Sequence, residues 1–494
     1  MEPDRPAADS ATPAAASRRR FSVGGTFARW EWLALAGIVL GYLLIALLAV
    51  RRGPPLGWDE AVYSLRAQDF AAGEPWGRYW DSFRAPGLPW VLSLFWGLGG
   101  HPTVFRAAVA GFGLLLVLVA WLLARHLFGP GPGLIAAAGV ALSPPLLLAA
   151  TQVWPDIPGA ALGLAAVAVF VLATGGERSS WWMLALVPAV AAATFLRFGS
   201  PLPIAIGLLV VAGWRRRMLL RHPAPAIVAA LAATAAVMVI LTLPALTGGK
   251  VSPLAAIAGF EGSSSTGLAD YTDLADQVIG PAAVVLALVG VAAGFGWVSR
   301  GEIDRGALST AVVAGLATAT ALALVLHGEV RYLAPAYPWL WVAGAPGLLR
   351  LAALIPGRAR SVTVVVIVVA LTAAAVGLAR ERNRDGGREY GSTREAALGI
   401  AAATAGEPCL VVTARLPQVM WYSGCEAAVF NLDEVRLPAR PGTVTFMLLV
   451  GGFPRQPEGE LLAAYRAAAG EPVLVIEGRR PAQVHLVREP ATAG

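Results

Sequence analysis

"LPWVLSLFWGL", residues 88–98, decides how the rest of this 494-residue chain is arranged. The stretch is apolar but only about 11 residues long, where a membrane-spanning helix needs roughly 20, so it reads as an interfacial helix. One extra crossing here would invert the sidedness of everything that follows. Arginine settles the choice, because short cytoplasmic loops carry an excess of basic residues. With residues 88–98 lying flat, "RRRMLLR" at 215–221 falls on the cytoplasmic side with Arg18, Arg19, Arg20, Arg125, Arg178, Arg300 and Arg350. The short outer loops then keep only Arg197, Lys250 and Arg331.

The apolar runs counted this way are 33–50, 104–123, 134–150, 157–173, 182–198, 201–214, 226–246, 281–298, 307–326, 333–349 and 362–378. The expectation is an all-α polytopic membrane protein of about 11 transmembrane helices, with a C-terminal extracytoplasmic α/β domain. Composition agrees. With 57% hydrophobic and 14% charged residues and a mean hydropathy of +0.65, a soluble globular protein is excluded. The net charge of +7 does not point to nucleic acid, because the arginines stand in short clusters between apolar runs. The five histidines and two cysteines form no metal-binding spacing.

Residues 1–29 are rich in Ala, Pro, Ser and Arg, cannot bury a core and are expected to be a disordered cytoplasmic N-terminus. The run at 33–50 ends in Arg51 and Arg52 without an A-x-A-like cleavage site, so it is expected to stay as a helix. Residues 30–379 then form the membrane domain, with 51–103 as a first outer loop of interfacial helices, and 380–494 form the outer domain. There, 409–413, 443–450, 472–478 and 483–487 read as strands and 458–469 as an amphipathic helix. Cys409 and Cys425 both fall in this domain. An oxidising compartment would permit a disulfide between them; two buried thiols are the alternative.

On this topology the outer face receives Asp59, Glu60, Arg84, Arg106, Asp156, "HGEVRY" at 327–332, and the Gly/Ser-rich loop 248–277, which is long enough to close over a substrate. Asp59 and Glu60 open a helical stretch at 61–70. Adjacent helical residues point roughly 100° apart, so only one of the two can act on a given atom, while the other caps or orients. A carboxylate at a low-dielectric boundary is expected to have a raised pKa and so to be a better base.

The Asp-Glu pair with Tyr63 downstream, "FRAPGLPW" at 83–90, Arg106 opening the next span, "ATQVWPDIPG" at 150–159 and "HGEVRYLAPAYP" at 327–338 together resemble the polyprenyl-phosphate-dependent glycosyltransferases of the GT-C fold. Protein O-mannosyltransferases and lipid A aminoarabinose transferases are the relatives suggested. The likeness covers about residues 30–350; "RAPG" stands where the family often has His-Pro-Pro or Lys-Pro-Pro. It implies that a sugar arrives on a polyprenyl phosphate, the donor substrate, and passes with inversion to a glycan, lipid or protein acceptor at the outer surface of the plasma membrane. No cofactor, metal or nucleic acid is expected.

Such a reaction needs a base for the acceptor proton and positive charge for the departing phosphate. Asp59 is the expected base, with Glu60 and Asp156 as the other acidic groups of the site. Asp156 is read in a non-helical turn between Pro155 and Pro158; capping the next helix is the alternative. Arg331 with Tyr332, Arg84 and Arg106 are expected at the donor phosphate, although Arg106 could instead pair with Asp59 or Glu60, and Arg331 could snorkel among Tyr337, Trp339 and Trp341. Tyr63, His327 and Glu329 are candidate substrate contacts. A transporter or flippase of lipid-linked saccharide is the alternative function, and it would need polar residues along a path at bilayer depth. A non-catalytic assembly protein would tolerate Asn at position 59.

Overall fold

The computed structural model describes residues 29–76, 83–175, 181–256, 282–325, 329–438, 440, 442–453 and 455–487. The tail 1–28, most of the loop expected at 248–277, and His327 lie outside those residues.

The apolar runs are mostly helical where described. Helix α1 (Arg29–Arg51) leads to two outer helices, α2 (Trp58–Ala71) and α3 (Gly87–Ser93). A 3-10 turn at Trp96–Leu98 follows α3, so the stretch at 88–98 divides into two short pieces, each too short to span. The bundle continues with α4 (Pro102–Phe128), α5 (Pro130–Leu142), α6 (Pro144–Ala150), α7 (Asp156–Gly175) and α8 (Leu186–Leu196). Next come α9 (Pro201–Trp214), α10 (Arg216–Arg221), α11 (Ala224–Leu246), α12 (Ala282–Val298), α13 (Arg305–Val325), α14 (Tyr337–Leu354) and α15 (Gly357–Thr404).

Six of these helices, α1, α4, α7, α11, α13 and α15, are long and apolar enough to cross a membrane, and the α5–α6 pair makes a seventh if counted as one span. The protein is a multi-pass membrane protein. The expected count of eleven therefore depends on shorter helices as well, including α8, α9 and α12.

The single span expected at 134–150 is broken instead. Ser143 is extended (φ −70°, ψ 114°) and α5 meets α6 at 61°. Pro144 and Pro145 are the cause, since neither has an N–H to donate and a residue before proline avoids the helical region. Elsewhere the packing is close: a Cβ at Gly347 on α14 would collide with the Gly290 carbonyl oxygen on α12, so glycine lets the two backbones meet.

The change of character expected at residue 380 falls inside a helix. Helix α15 runs unbroken for 48 residues. Its first half presents exposed Val364, Val365 and Val368. Its second half buries Ser392, Thr393, Ala396, Ala397 and Ile400, and Ala396 and Ile400 belong to the core of a five-stranded sheet. That sheet has the order β2-β1-β3-β5-β4, from β1 (Cys409–Thr413), β2 (Glu426–Ala428), β3 (Val444–Val450), β4 (Pro472–Ile476) and β5 (Ala482–Val487). Strand β1 is parallel to β2 and β3, and β5 is antiparallel to β3 and β4.

The period-two alternation of a strand sends neighbouring residues to opposite faces. Val411, Phe446 and Leu448 meet α15 and α16 (Leu416–Ser423), whereas Val412, Met447 and Leu449 meet α17 (Gly459–Ala469). A disulfide joins Cys409 to Cys425. It closes a loop of about 15 residues, worth roughly 3 kcal/mol in the chain-entropy account.

The outer domain is anchored on α2. Val62 and Leu65 of α2 pack with Met420 and Trp421 of α16. The Leu56 N–H donates to the Tyr422 hydroxyl at 2.8 Å. Glu60 fixes α2 from the other side: Arg106 Nε and Nη2 donate to its two carboxylate oxygens, both at 2.8 Å, and the Val153 N–H adds a third bond at 3.0 Å. Both side chains are about 4% exposed. Gly53 leaves room for that guanidinium, which a Cβ there would strike. The pair holds α2, α4 and the segment before α7 together, which is the pairing alternative for Arg106 and the orienting alternative for Glu60.

Breaking a buried ion pair leaves an uncompensated charge, at a cost of about 3–5 kcal/mol. Glu60→Ala and Arg106→Ala are each expected to lower the thermal unfolding temperature of the detergent-purified protein markedly, and the double variant to lose less than the sum of the two.

Candidate active site

Helix α2 begins at Trp58 behind the N-cap Gly57, so Asp59 is its second residue and not the cap. Glu60, three residues on, accepts from the Gly57 N–H at 3.3 Å and so caps the helix start. The turn of the helix then sends Asp59 the other way, onto an open cavity. Two arginines hold it: Arg84 Nη2 donates to Oδ1 at 2.6 Å and Arg331 Nη2 donates to Oδ2 at 2.7 Å. The carboxylate keeps 24% of its side-chain exposure.

Arg331 sits in a 3-10 turn, Val330–Leu333, ahead of α14. Its Nε lies 2.5 Å from a Glu329 carboxylate oxygen, and its guanidinium lies 4.3 Å from the centre of the Trp154 ring. Arg382 of α15 lies 5.0 Å from the same ring and donates to Gln152 at 3.1 Å. Trp154 thus carries two guanidiniums. Tyr337, Trp339 and Trp341 are buried in the bundle, so they do not form an interfacial belt around Arg331.

Asp156 is the first residue of α7, which corrects the non-helical turn expected there. Helix position follows from Pro158, tolerated in a first turn where N–H groups are unbonded anyway. Asp156 pairs with Arg197 Nη2 at 2.9 Å, just beyond the end of α8, and Arg197 in turn lies 5.4 Å from the centre of the Tyr332 ring. Arg197 Nη1 is buried with no hydrogen-bond partner among the described residues.

These groups line a cavity of about 660 Å³, within the size range of ligand sites. Asp59, Tyr63, Arg84, Asp156, Glu329, Arg331 and Tyr332 all border it, as do Trp58, Phe83 and Arg197. Tyr390 from α15, Arg415 and Phe453 complete the wall from the outer domain. Arg197, Arg382 and the outer-domain residues had no local motif, and Trp154 stood inside "ATQVWPDIPG" without being singled out. One signal did exist: Arg197 and Arg331 are two of the three basic residues left on the short outer loops.

Burial alone would raise the Asp59 pKa, but Arg331 and then Arg84 outweigh it and hold the carboxyl below its usual range. The expected upward shift is therefore reversed. Arg331 is held well above the usual arginine range despite its burial, chiefly by Asp156 and Asp59. Burial raises Tyr63 and Tyr332, so both phenols remain neutral donors. Among the described residues no group of three His, Cys, Asp or Glu side chains could hold a metal ion.

Residues 83–242 match the family of dolichyl-phosphate-mannose-protein mannosyltransferases. No curated protein matches the chain in sequence. In architecture the chain is similar to ArnT from Cupriavidus metallidurans bound to undecaprenyl phosphate, with a TM-score of 0.64 and 16% identity over 94% of this chain and 99% of that one. The apo state of the same protein gives the same TM-score and identity over 93% and 98%. The archaeal oligosaccharyltransferase AglB from Archaeoglobus fulgidus, in complex with an inhibitory peptide and a dolichol-phosphate, matches at a TM-score of 0.53 and 15% identity over 81% of this chain and 64% of that one. The chain is built on the GT-C glycosyltransferase fold.

Proposed function

We propose that this protein is a membrane glycosyltransferase that moves a sugar from a polyprenyl phosphate to the hydroxyl of an acceptor outside the cytoplasm. The observation that carries the reading is the single carboxylate, Asp59, shared by Arg84 and Arg331 in an aromatic-lined cavity beside apolar helices. The comparisons support it from another direction, since the matched family and both structural neighbours are associated by name with a polyprenyl phosphate.

A donor phosphate competes with Asp59 for the same guanidinium donors, because charge-assisted bonds from arginine suit phosphate oxygens as well as carboxylates. Arg84 and Arg331 move to the phosphate, with Arg197 Nη1 available as a further donor and the Tyr332 hydroxyl beside it. Asp59 then loses the charges that lowered its pKa and keeps the burial that raises it. The carboxylate becomes a competent base only when the donor is in place. The acceptor oxygen attacks the anomeric carbon, the carbon–oxygen bond to phosphate breaks with its electron pair going to the phosphate, and the hydroxyl proton goes to Asp59. Asp156, neutralised by Arg197, positions substrate.

The proposed sidedness is supported by the basic clusters that alternate with the apolar runs and by the Cys409–Cys425 disulfide, which suits an oxidising compartment. The N-terminus is cytoplasmic and the α/β domain extracytoplasmic. An alkaline phosphatase fused to the C-terminus is expected to be active in cells; an inactive one, with a fluorescent C-terminal green fluorescent protein, would reverse the assignment.

Turnover is tested with purified protein and a panel of radiolabelled undecaprenyl-phosphate sugars. Asp59→Asn is expected to abolish transfer while leaving donor binding intact, and wild-type turnover by that variant would remove Asp59 from the base role. Because donor binding raises the Asp59 pKa, the acid limb of kcat is expected at higher pH than the acid limb of kcat/KM, which reports the free enzyme. Arg331→Ala is expected to weaken undecaprenyl phosphate binding about 10- to 100-fold, the loss of a hydrogen bond to a charged group. Unchanged affinity would place the phosphate elsewhere.

A further inference from the structure

The outer domain reaches the cavity through the carboxyl ends of two neighbouring strands. Arg415 follows the carboxyl end of β1, and Phe453 and Arg455 follow the carboxyl end of β3. Strands β1 and β3 are parallel neighbours, yet from β1 the chain turns outward to β2 and from β3 it turns the other way, toward β4 and β5. In an open sheet, the crevice at the carboxyl ends of two such strands is where ligands bind. Here that crevice faces Asp59 and Arg331 across the cavity.

The crevice is built from aromatic rings braced by a buried cation. Arg415 is 2% exposed, and its guanidinium lies 3.6 Å from the centre of the Phe453 ring and 5.0 Å from that of Tyr390. Its Nη2 donates to Glu389 at 2.8 Å, while its buried Nε has no partner among the described residues. Arg480 pairs with the same carboxylate. Phe453 and Tyr390 both border the cavity. Arg455, at φ 65°, holds the left-handed backbone that a residue with a side chain adopts only at a cost, and such strain clusters at ligand-binding turns.

Charge says what kind of molecule fits. Among the described residues five arginines and four carboxylates line the cavity, and of these arginines only Arg455 lacks an ion pair there. The one surplus positive charge is balanced by the single negative charge of a phosphodiester donor. A second molecule entering the loaded cavity meets no net charge, and it meets rings whose negative faces suit the C–H face of a pyranose. We infer that the crevice between β1 and β3 is the acceptor subsite, that its ligand is an uncharged carbohydrate, and that Phe453 and Tyr390 are the stacking platform, with Arg415 as the positioning residue behind them. This rests on the glycosyl-transfer reading above.

The test is saturation-transfer NMR on the full-length protein in nanodiscs containing undecaprenyl phosphate, with mannotetraose and maltotetraose as probes. At least one is expected to give signal with wild type, to lose it at least 5-fold with Phe453→Ala, and to recover it with Phe453→Tyr. Arg415→Lys is expected to weaken binding through loss of the stacked plane. If Phe453→Ala does not fold, Tyr390→Ala provides the same comparison. An unchanged signal in these alanine variants, no oligosaccharide signal with wild type, or a Ser/Thr-rich peptide binding in its place would overturn the inference. Failure of the donor reading is separate, since it appears as absent undecaprenyl phosphate binding in wild type.

Discussion

Asp59 has two oxygens, and each is taken by a different arginine arriving from a different part of the chain. Arg84 comes from the segment before α3 and Arg331 from the turn before α14, 272 residues away in sequence from Asp59. None of these charges is fully solvated, so removal of any one leaves another poorly compensated. The remaining contacts of the site follow from holding that arrangement. Trp154 supports Arg331 and Arg382, Arg197 neutralises Asp156, and the Glu60–Arg106 pair fixes the helix from which Asp59 projects.

The outer domain belongs to the same arrangement. Helix α15 carries the chain from the apolar bundle into the sheet without a break, placing Arg382 beside Trp154 and Tyr390 on the cavity wall. Helix α16 docks on α2, the helix that bears Asp59. A domain joined to the bundle by a flexible linker would be free to rotate. This one is tied by a rigid rod, by an aromatic contact from Trp421 to Trp96 and Phe105, and by the Leu56 to Tyr422 hydrogen bond. Groups from the bundle and from the sheet can therefore face one another across one cavity.

The helical body was legible in the sequence because long apolar runs have few alternatives in a membrane, where every backbone polar group must be bonded within the segment. Strands β1, β3, β4 and β5 were legible from short β-branched runs, whereas the three-residue β2 and the eight-residue α16 were too short to show a period. The errors have physical causes. Prolines 144 and 145 broke a run whose composition promised one helix. Asp59 and Asp156 were found because acidic residues at the outer edge of a membrane domain are few. The direction of the Asp59 pKa was misjudged because burial is visible in a sequence, while two arginines arriving from distant segments are not. That Asp59 and Glu60 face different ways was legible from helix geometry, while the partners that hold Glu60 were not.

The central claim is that donor phosphate and Asp59 exchange the same two arginines. A structure of the protein with undecaprenyl phosphate bound, determined by electron cryomicroscopy in nanodiscs, addresses it most directly. The account requires Arg84 and Arg331 within hydrogen-bonding distance of the phosphate, and Asp59 released from at least one of them. A phosphate seated elsewhere, with both arginines still on Asp59, would contradict it.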